Sequence, residues 1–261
     1  MPLSFLSPTW VYHYGMTIHY LNCFTCNARI PRHWQSGTLS LLVESNDGLV
    51  LVDTGIGSRD YKNAPGILRL FKVITIVPLD SAEAAIQQVA KLGFQPQDVR
   101  HIVLTHMHFD HAGGLPDFPW AKIHVHRREY EAFKSGQMRR WTDGGYNRRI
   151  LDHAPEVVLY EETGDKWYDF DAIRLPFEPV MWLLPLHGHT AGHCGVAVKD
   201  GNGWLLQVAD AASFADDAPD WTVKFVLGHH QPRLKAFDKA HPEVRMTMGH
   251  MSLDFFEETK K

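Results

Sequence analysis

Short apolar runs, rich in β-branched and large aliphatic side chains and punctuated by Gly, Asn and Asp, recur along this chain and predict strands more often than long helices. Leu39 to Glu44 and Leu49 to Asp53 flank Ser45-Asn46-Asp47-Gly48, which predicts an early β-hairpin. A helical spacing follows, where Asp80 or Ser81 can cap a helix, Glu83 lies in its first turn, and Ala82, Ile86 and Val89 recur until Leu92 and a stop at Gly93. His101 to Thr105 and Ala121 to His126 read as strands, and Arg127 to Ser135 as a helix with Tyr130 and Phe133 on one side. In the second half, Met181 to Leu186 predicts a strand entering a Gly-His-Thr turn, and Val196 to Lys199 with Trp204 to Val208 a hairpin around Asp200-Gly201-Asn202-Gly203. Val244 to Met248 predicts a final strand delivering Gly249-His250.

The halves are alike in plan, each placing candidate ligands just beyond strand ends. That predicts an α/β chain in which two sheets pack face to face, with helices outside and a site along one edge. At 261 residues, without low-complexity tracts or short-period repeats, the chain reads as one domain over 1–261. Its 44% apolar and 21% charged residues and formal net charge of -4 are ordinary for a globular protein, and give no basic excess for nucleic acid. The N-terminus lacks the basic start and apolar stretch of a secretory signal, and no run of 18 apolar residues occurs, so the cytoplasm is expected and a membrane is not. Three cysteines do not make a disulfide framework; Cys23-x-x-Cys26 has no second pair, and Cys194, beside His193, is read as packing.

The chemistry concentrates in Thr105-His106-Met107-His108-Phe109-Asp110-His111-Ala112-Gly113-Gly114, directly after the apolar run Ile102-Val103-Leu104. At a strand end, His106 and His108 point to the same side and can converge on one ion, while the following turn aims Asp110 and His111 at a second position. A lone histidine is usually a core or surface residue, but four candidate ligands in one H-x-H-x-D-H string indicate metal. Most of the other histidines among the 17 must be structural, among them His124 and His126, which alternate with Ile123 and Val125.

Further candidates sit in matching contexts: His189 in Gly188-His189-Thr190, Asp210 after Val208-Ala209, His250 after Met248-Gly249, and Asp53 before Thr54-Gly55. Taken in order with the first string, this set resembles the metallo-β-lactamase superfamily over nearly the whole chain. The resemblance implies an αββα sandwich with two divalent ions, zinc first and iron, manganese or cobalt as alternatives. One ion would take His106, His108 and His189, the other Asp110, His111 and His250, and Asp210 would bridge them. Asp110 is counted with the catalytic groups as well as the ligands, and Asp53 would support the site by accepting a hydrogen bond from a ligand imidazole. His187 and His193 flank His189 and compete with it; the Gly-His-Thr context favours His189. His229 and His230 are expected to face solvent, possible parts of a lid.

Within the superfamily, oxygen-reducing diiron members usually carry Glu where His108 stands, and many true β-lactamases lack the carboxylate supplied by Asp210. The layout is most similar to N-acyl-homoserine lactonases, including the Asp-Thr-Gly hairpin end and the stretch Arg128-Glu129-Tyr130-Glu131-Ala132. That implies hydrolysis of a lactone or ester with an apolar portion, a quorum-quenching activity, by a metal-bridging hydroxide. One departure is Ser213, followed by Phe214, where such lactonases commonly place a tyrosine that assists the substrate carbonyl; Ser213 is the candidate replacement. Gly66 to Val77 is apolar enough to line an acyl pocket, form a homodimer interface or face the core, and Phe214, Trp221 and Phe225 are pocket candidates. A glyoxalase II-like thioesterase, with Arg139-Arg140 and Arg148-Arg149 as its basic patch, and a phosphodiesterase are the alternatives; a non-enzymatic metal-binding module is the least favoured.

Overall fold

Leu41 and Leu42 are neighbours in one strand, yet they are buried in different layers. Leu41 joins Leu39, Val43, Val50, Val52 and Val103 against Ile173, Met181, Leu183, Val196 and Leu205 of a second sheet. Leu42, with Leu51, Ile102 and Ile123, packs the opposite way, against Ala85, Val89 and Phe133 of helices. The second sheet repeats this arrangement, with Leu184, Ala197 and Leu206 turned outward to Leu234 and Phe237. Side chains alternate across a strand, so a sheet covered on both faces needs continuous apolar runs. The result is the expected αββα sandwich of two sheets between helices.

The computed structural model describes residues 17–28, 35–64, 66–137, 141–213 and 220–259. The first sheet uses β1 (Ile18–Ala28), β2 (Gln35–Ser45), β3 (Gly48–Val52), β4 (Thr75–Ile76), β5 (Val99–Val103), β6 (Lys122–His126) and β7 (Val157–Tyr160), in the order β4-β1-β2-β3-β5-β6-β7. A small ribbon of β8 (Lys166–Trp167) and β9 (Phe170–Asp171) precedes the second sheet. That sheet orders β10 (Ile173–Arg174), β11 (Met181–Pro185), β12 (Cys194–Asp200), β13 (Gly203–Gln207) and β14 (Val244–Thr247) in sequence. The helices are α1 (Ser58–Lys62), α2 (Gly66–Ile74), α3 (Ala85–Lys91), α4 (Phe109–Ala112), α5 (Arg127–Ser135), α6 (Asp220–Leu227), α7 (Gln231–Ala240) and α8 (Leu253–Glu258). Among the described residues, no helix is long and apolar enough to cross a membrane.

Several boundaries differ from the sequence reading. Asp80 does cap, its side chain accepting the Ala82 N–H, but the first turn is a 3-10 helix over Ser81–Glu83 and α3 starts only at Ala85. The last strand predicted from Val244 stops at Thr247, and His250 opens a separate strand, β15 (His250–Ser252), which pairs antiparallel with Ser36 to Thr38 of β2 in the first sheet. Gly66 to Val77 forms α2 and β4; Leu68 and Val77 are buried beside Phe24, Ile56 and Tyr61, whereas Val73 and Ile76 are exposed.

Candidate metal centre

Every residue placed in the candidate centre follows the C-terminal end of a strand. β3 leads into Asp53, β5 into His106 and His108, β11 into His189, β13 into Asp210 and β14 into His250. After β5 the chain turns at once into α4, whose N-cap is His108 and whose first turn carries Asp110 and His111; the His108 carbonyl accepts the N–H groups of His111 and Ala112. This turn brings the four local candidates to one spot, and Phe109 is buried beneath them against Phe24.

Tertiary structure supplies the rest. His189 donates its Nδ1 proton to the Val226 carbonyl at 2.7 Å, which leaves Nε2 free as a lone pair, 3.0 Å from His108 Nδ1 and 3.3 Å from Asp210 Oδ2. Asp210 lies in the middle: Oδ2 is 4.0 Å from His106 Nε2 and 3.6 Å from His250 Nε2, and Oδ1 is 3.5 Å from His111 Nε2. His250 Nε2 is also 3.6 Å from Asp110 Oδ2. Three sets of converging donor atoms result: His106 with His108 and His189, His106 with His111 and Asp210, and Asp110 with His111 and His250.

The donor chemistry fits cations. Nε2 of His106 and of His111 and Oδ1 of Asp210 are buried without a hydrogen-bond partner where they converge, a costly arrangement for polar atoms. Burial and neighbouring imidazoles push His106 and His108 well below the usual imidazole range, so both are neutral, as ligands must be. Burial works against charge on His111 too, but Asp210 and Asp53 outweigh it and hold its pKa well above the usual value; Asp210 and Asp110 do the same for His250. Asp210, although buried, is held well below the ordinary carboxylate range by His250 and His111.

Supporting groups fix these side chains. Asp53 accepts the Nδ1 proton of His111 at 2.9 Å and, through both oxygens, the N–H and hydroxyl of Thr105 at 2.9 and 2.7 Å. Two non-glycine residues here have left-handed backbones, Asp53 at φ 57° and Ala209 at φ 46°, a strain that gathers at functional sites. Gly249 is required by close approach, since a Cβ there would lie 2.1 Å from Asp210 Oδ1.

Two contributors escaped the sequence reading. Glu129 is fully buried and accepts from Met107 N–H at 2.9 Å, Tyr146 hydroxyl at 3.1 Å, Thr190 hydroxyl at 2.7 Å and Gly192 N–H at 3.0 Å, tying the loop of His106 and His108 to that of His189. Its spacing of four from the apolar Phe133 was the available sign that it faces inward. His193, treated only as a rival to His189, is buried and accepts the Asp210 N–H on Nε2 at 3.1 Å, a supporting position.

Other candidates lie elsewhere. His187 hydrogen-bonds the His193 carbonyl through Nδ1, and its Nε2 lies 3.2 Å from Glu162 Oε1. His229 is exposed as expected, but His230 is half-buried and bonded to the His187 carbonyl, a correction to its solvent-facing reading. Ser213 places its backbone N–H on Gln231 Oε1 at 3.0 Å; Phe214, the side chain of Trp221, and Arg139-Arg140 lie outside the described residues, and Phe225 is exposed on α6. Burial pushes the Cys23 thiol up to about 12 and Cys194 well above its usual range, so both are neutral packing groups. His124 and His126 are buried outside the centre.

A family model described as the metallo-beta-lactamase superfamily matches residues 34–243. A probable metallo-hydrolase of Mycobacterium tuberculosis is 40% identical over 201 residues, covering 74% of this chain and 62% of that protein, so the matched region spans about three fifths of that relative. An N-acyl homoserine lactonase of Bacillus thuringiensis is 30% identical over 186 residues, 68% of this chain and 66% of that protein. Among solved structures, a B. thuringiensis AiiA variant with N-decanoyl-L-homoserine at its active site superposes with a TM-score of 0.66 at 20% identity, covering 94% of this chain and 96% of that one. A probable metal-dependent hydrolase from Staphylococcus aureus gives 0.64 at 20% identity over 90% and 89%. At such identities the structural likeness speaks to the fold alone.

Proposed function

The chain belongs to the metallo-beta-lactamase superfamily, and from that premise we propose that it is a dinuclear metal-dependent hydrolase opening a lactone ring, with N-acyl homoserine lactones as the substrate class. The observation that carries the metal part is the crowding of donor atoms from His106, His111, His189 and His250 around the single carboxylate of Asp210, with Nε2 of His106 and of His111 buried and unpartnered. The lactone part is supported by the lactonase relatives. His106, His108 and His189 would hold one ion, Asp110, His111 and His250 the other, and Asp210 would lie between them; zinc is the favoured metal for this set of imidazoles and carboxylates. When bound, such a pair polarises a substrate carbonyl and lowers the pKa of water so that hydroxide is available near neutral pH.

The chain's own groups would act on that chemistry by position and by proton control. Asp53 would keep one His111 proton on Nδ1, so that Nε2 is the nitrogen left for an ion, which takes the place of the second proton that Asp210 favours there. The Val226 carbonyl does the same for His189. Glu129 fixes the spacing of the two ligand loops. Ser213 would offer a hydroxyl to the substrate carbonyl in place of the tyrosine usual in lactonases.

The test is elemental analysis of the purified protein, coupled on the same sample to ring-opening assays with short- and long-chain acyl-homoserine lactones. About two metals per chain, chelator-sensitive ring opening and its loss in His106→Ala are expected. Two metals without ring opening would overturn the lactone assignment and move the search to thioesters and phosphodiesters. Activity resistant to chelators, or undiminished in His106→Ala, would overturn the metal mechanism itself.

A further inference from the structure

Away from that centre, two more imidazoles and a carboxylate meet where the two sheets end. His126 is the last residue of β6, Glu162 follows β7, and His187 lies just beyond β11. Their donor atoms fall within 4.8 Å of one another. Glu162 Oε1 is 3.2 Å from His187 Nε2 and 3.4 Å from His126 Nε2, and the two rings stand edge to face with centroids 4.9 Å apart. We propose that His126, Glu162 and His187 form an additional binding site for a zinc-type transition-metal ion, separate from the candidate centre around Asp210.

The tautomer of His187 carries the first part of the argument. Its Nδ1 lies 3.1 Å from the His193 carbonyl oxygen, which can only accept, so the proton is on Nδ1 and Nε2 is a lone pair. That lone pair faces a carboxylate oxygen. A cation between the two acceptors would satisfy both.

His126 carries the second. It is only 2% exposed, and its Nε2 is buried with no hydrogen-bond partner. Its Nδ1 takes the Arg128 N–H at 3.2 Å, as the cap of α5, which leaves the ring proton on Nε2. Binding an ion at Nε2 therefore moves the ring proton to Nδ1 at the expense of the Arg128 cap contact, a change of tautomer with no net proton release.

Two imidazoles and a glutamate make up the donor set of three-ligand zinc sites that keep one position open. Imidazole nitrogen selects zinc and its neighbours over calcium or magnesium, which prefer oxygen. Glu162 and His187 border a cavity of about 600 Å³ through which an ion and a fourth ligand can enter. Arg128 and Lys224 line the same cavity and oppose a cation, while Asp171 favours it, so the site is weaker than one built from Asp210 and its neighbours. An ion here would clamp the start of α5 to the segment carrying His189, because His187 holds the His193 backbone and His193 holds the Asp210 N–H.

The test is zinc titration of the protein by calorimetry, with bound metal counted by elemental analysis after desalting. Wild type is expected to retain one more ion per chain than Glu162→Gln and than His187→Gln. The same one-ion difference between wild type and Glu162→Gln is expected in a His189→Ala background, so the result stands apart from the lactonase reading and from occupancy of the main centre. Equal ion counts in wild type and both variants would overturn the proposal. So would an extra ion that survives both substitutions. Glu162 is exposed, so its substitution is the safer variant for folding, and His187→Gln supplies the independent check.

Discussion

Asp53 Oδ2 accepts the Nδ1 proton of His111 at 2.9 Å, with both side chains fully buried. The carboxylate therefore sets which nitrogen of His111 is free to bind. Asn tolerates the left-handed backbone that Asp53 adopts, so Asp53→Asn changes charge and hydrogen bonding while leaving the turn intact. Its metal affinity should fall by about 10–100-fold, measured by competition with a chelator. Unaltered affinity would remove Asp53 from this role.

Gly145 packs directly on a candidate ligand. A Cβ at this position would lie 2.8 Å from His108 Cδ2 and 2.9 Å from its Cγ, so Gly145→Ala must displace the ring. The expected result is a loss of about 1–3 kcal/mol of stability together with reduced metal content. A fully metallated variant of unchanged stability would contradict the packing.

Glu129 accepts four hydrogen bonds in a fully buried setting. Glu129→Gln is nearly isosteric, but turns an NH2 group toward donors and strands some of them. An unsatisfied buried group costs about 1–3 kcal/mol, so a loss of about 2 kcal/mol or more is expected in denaturant unfolding. A change near zero would mean that the four donors find other acceptors.

Burial, helped by His101 and Lys122, lowers the pKa of His124 to about 3, against 6.5 for the free group. Below about pH 6.5 the unfolded chain takes up a proton that the folded chain refuses until about pH 3. Stability should therefore fall as pH drops through that window, His124 contributing up to about 1.4 kcal/mol per pH unit. His124→Gln should flatten the dependence by about one proton, read from unfolding midpoints across the window. An unchanged slope would show that His124 is not the group that titrates.

The residues whose meaning is local were legible in the sequence. H-x-H-x-D-H works because strand alternation and one tight turn bring its donors together within a few residues, and Asp53 because it ends a strand that the hairpin already predicted. The continuous apolar runs likewise required sheets covered on both faces.

Only the tertiary structure decided contacts between distant segments. His250 reaches the site on a strand that crosses to pair with Ser36 to Thr38, a register that no local pattern encodes. Glu129 reads in sequence as one charge among Arg127, Arg128 and Glu131, and is buried only because the His106 and His189 loops bring four donors to it. His126, Glu162 and His187 read as unrelated residues until the ends of two sheets are laid side by side. Periodicity fixes which face of an element a side chain occupies; what lies opposite that face is set by how the layers pack.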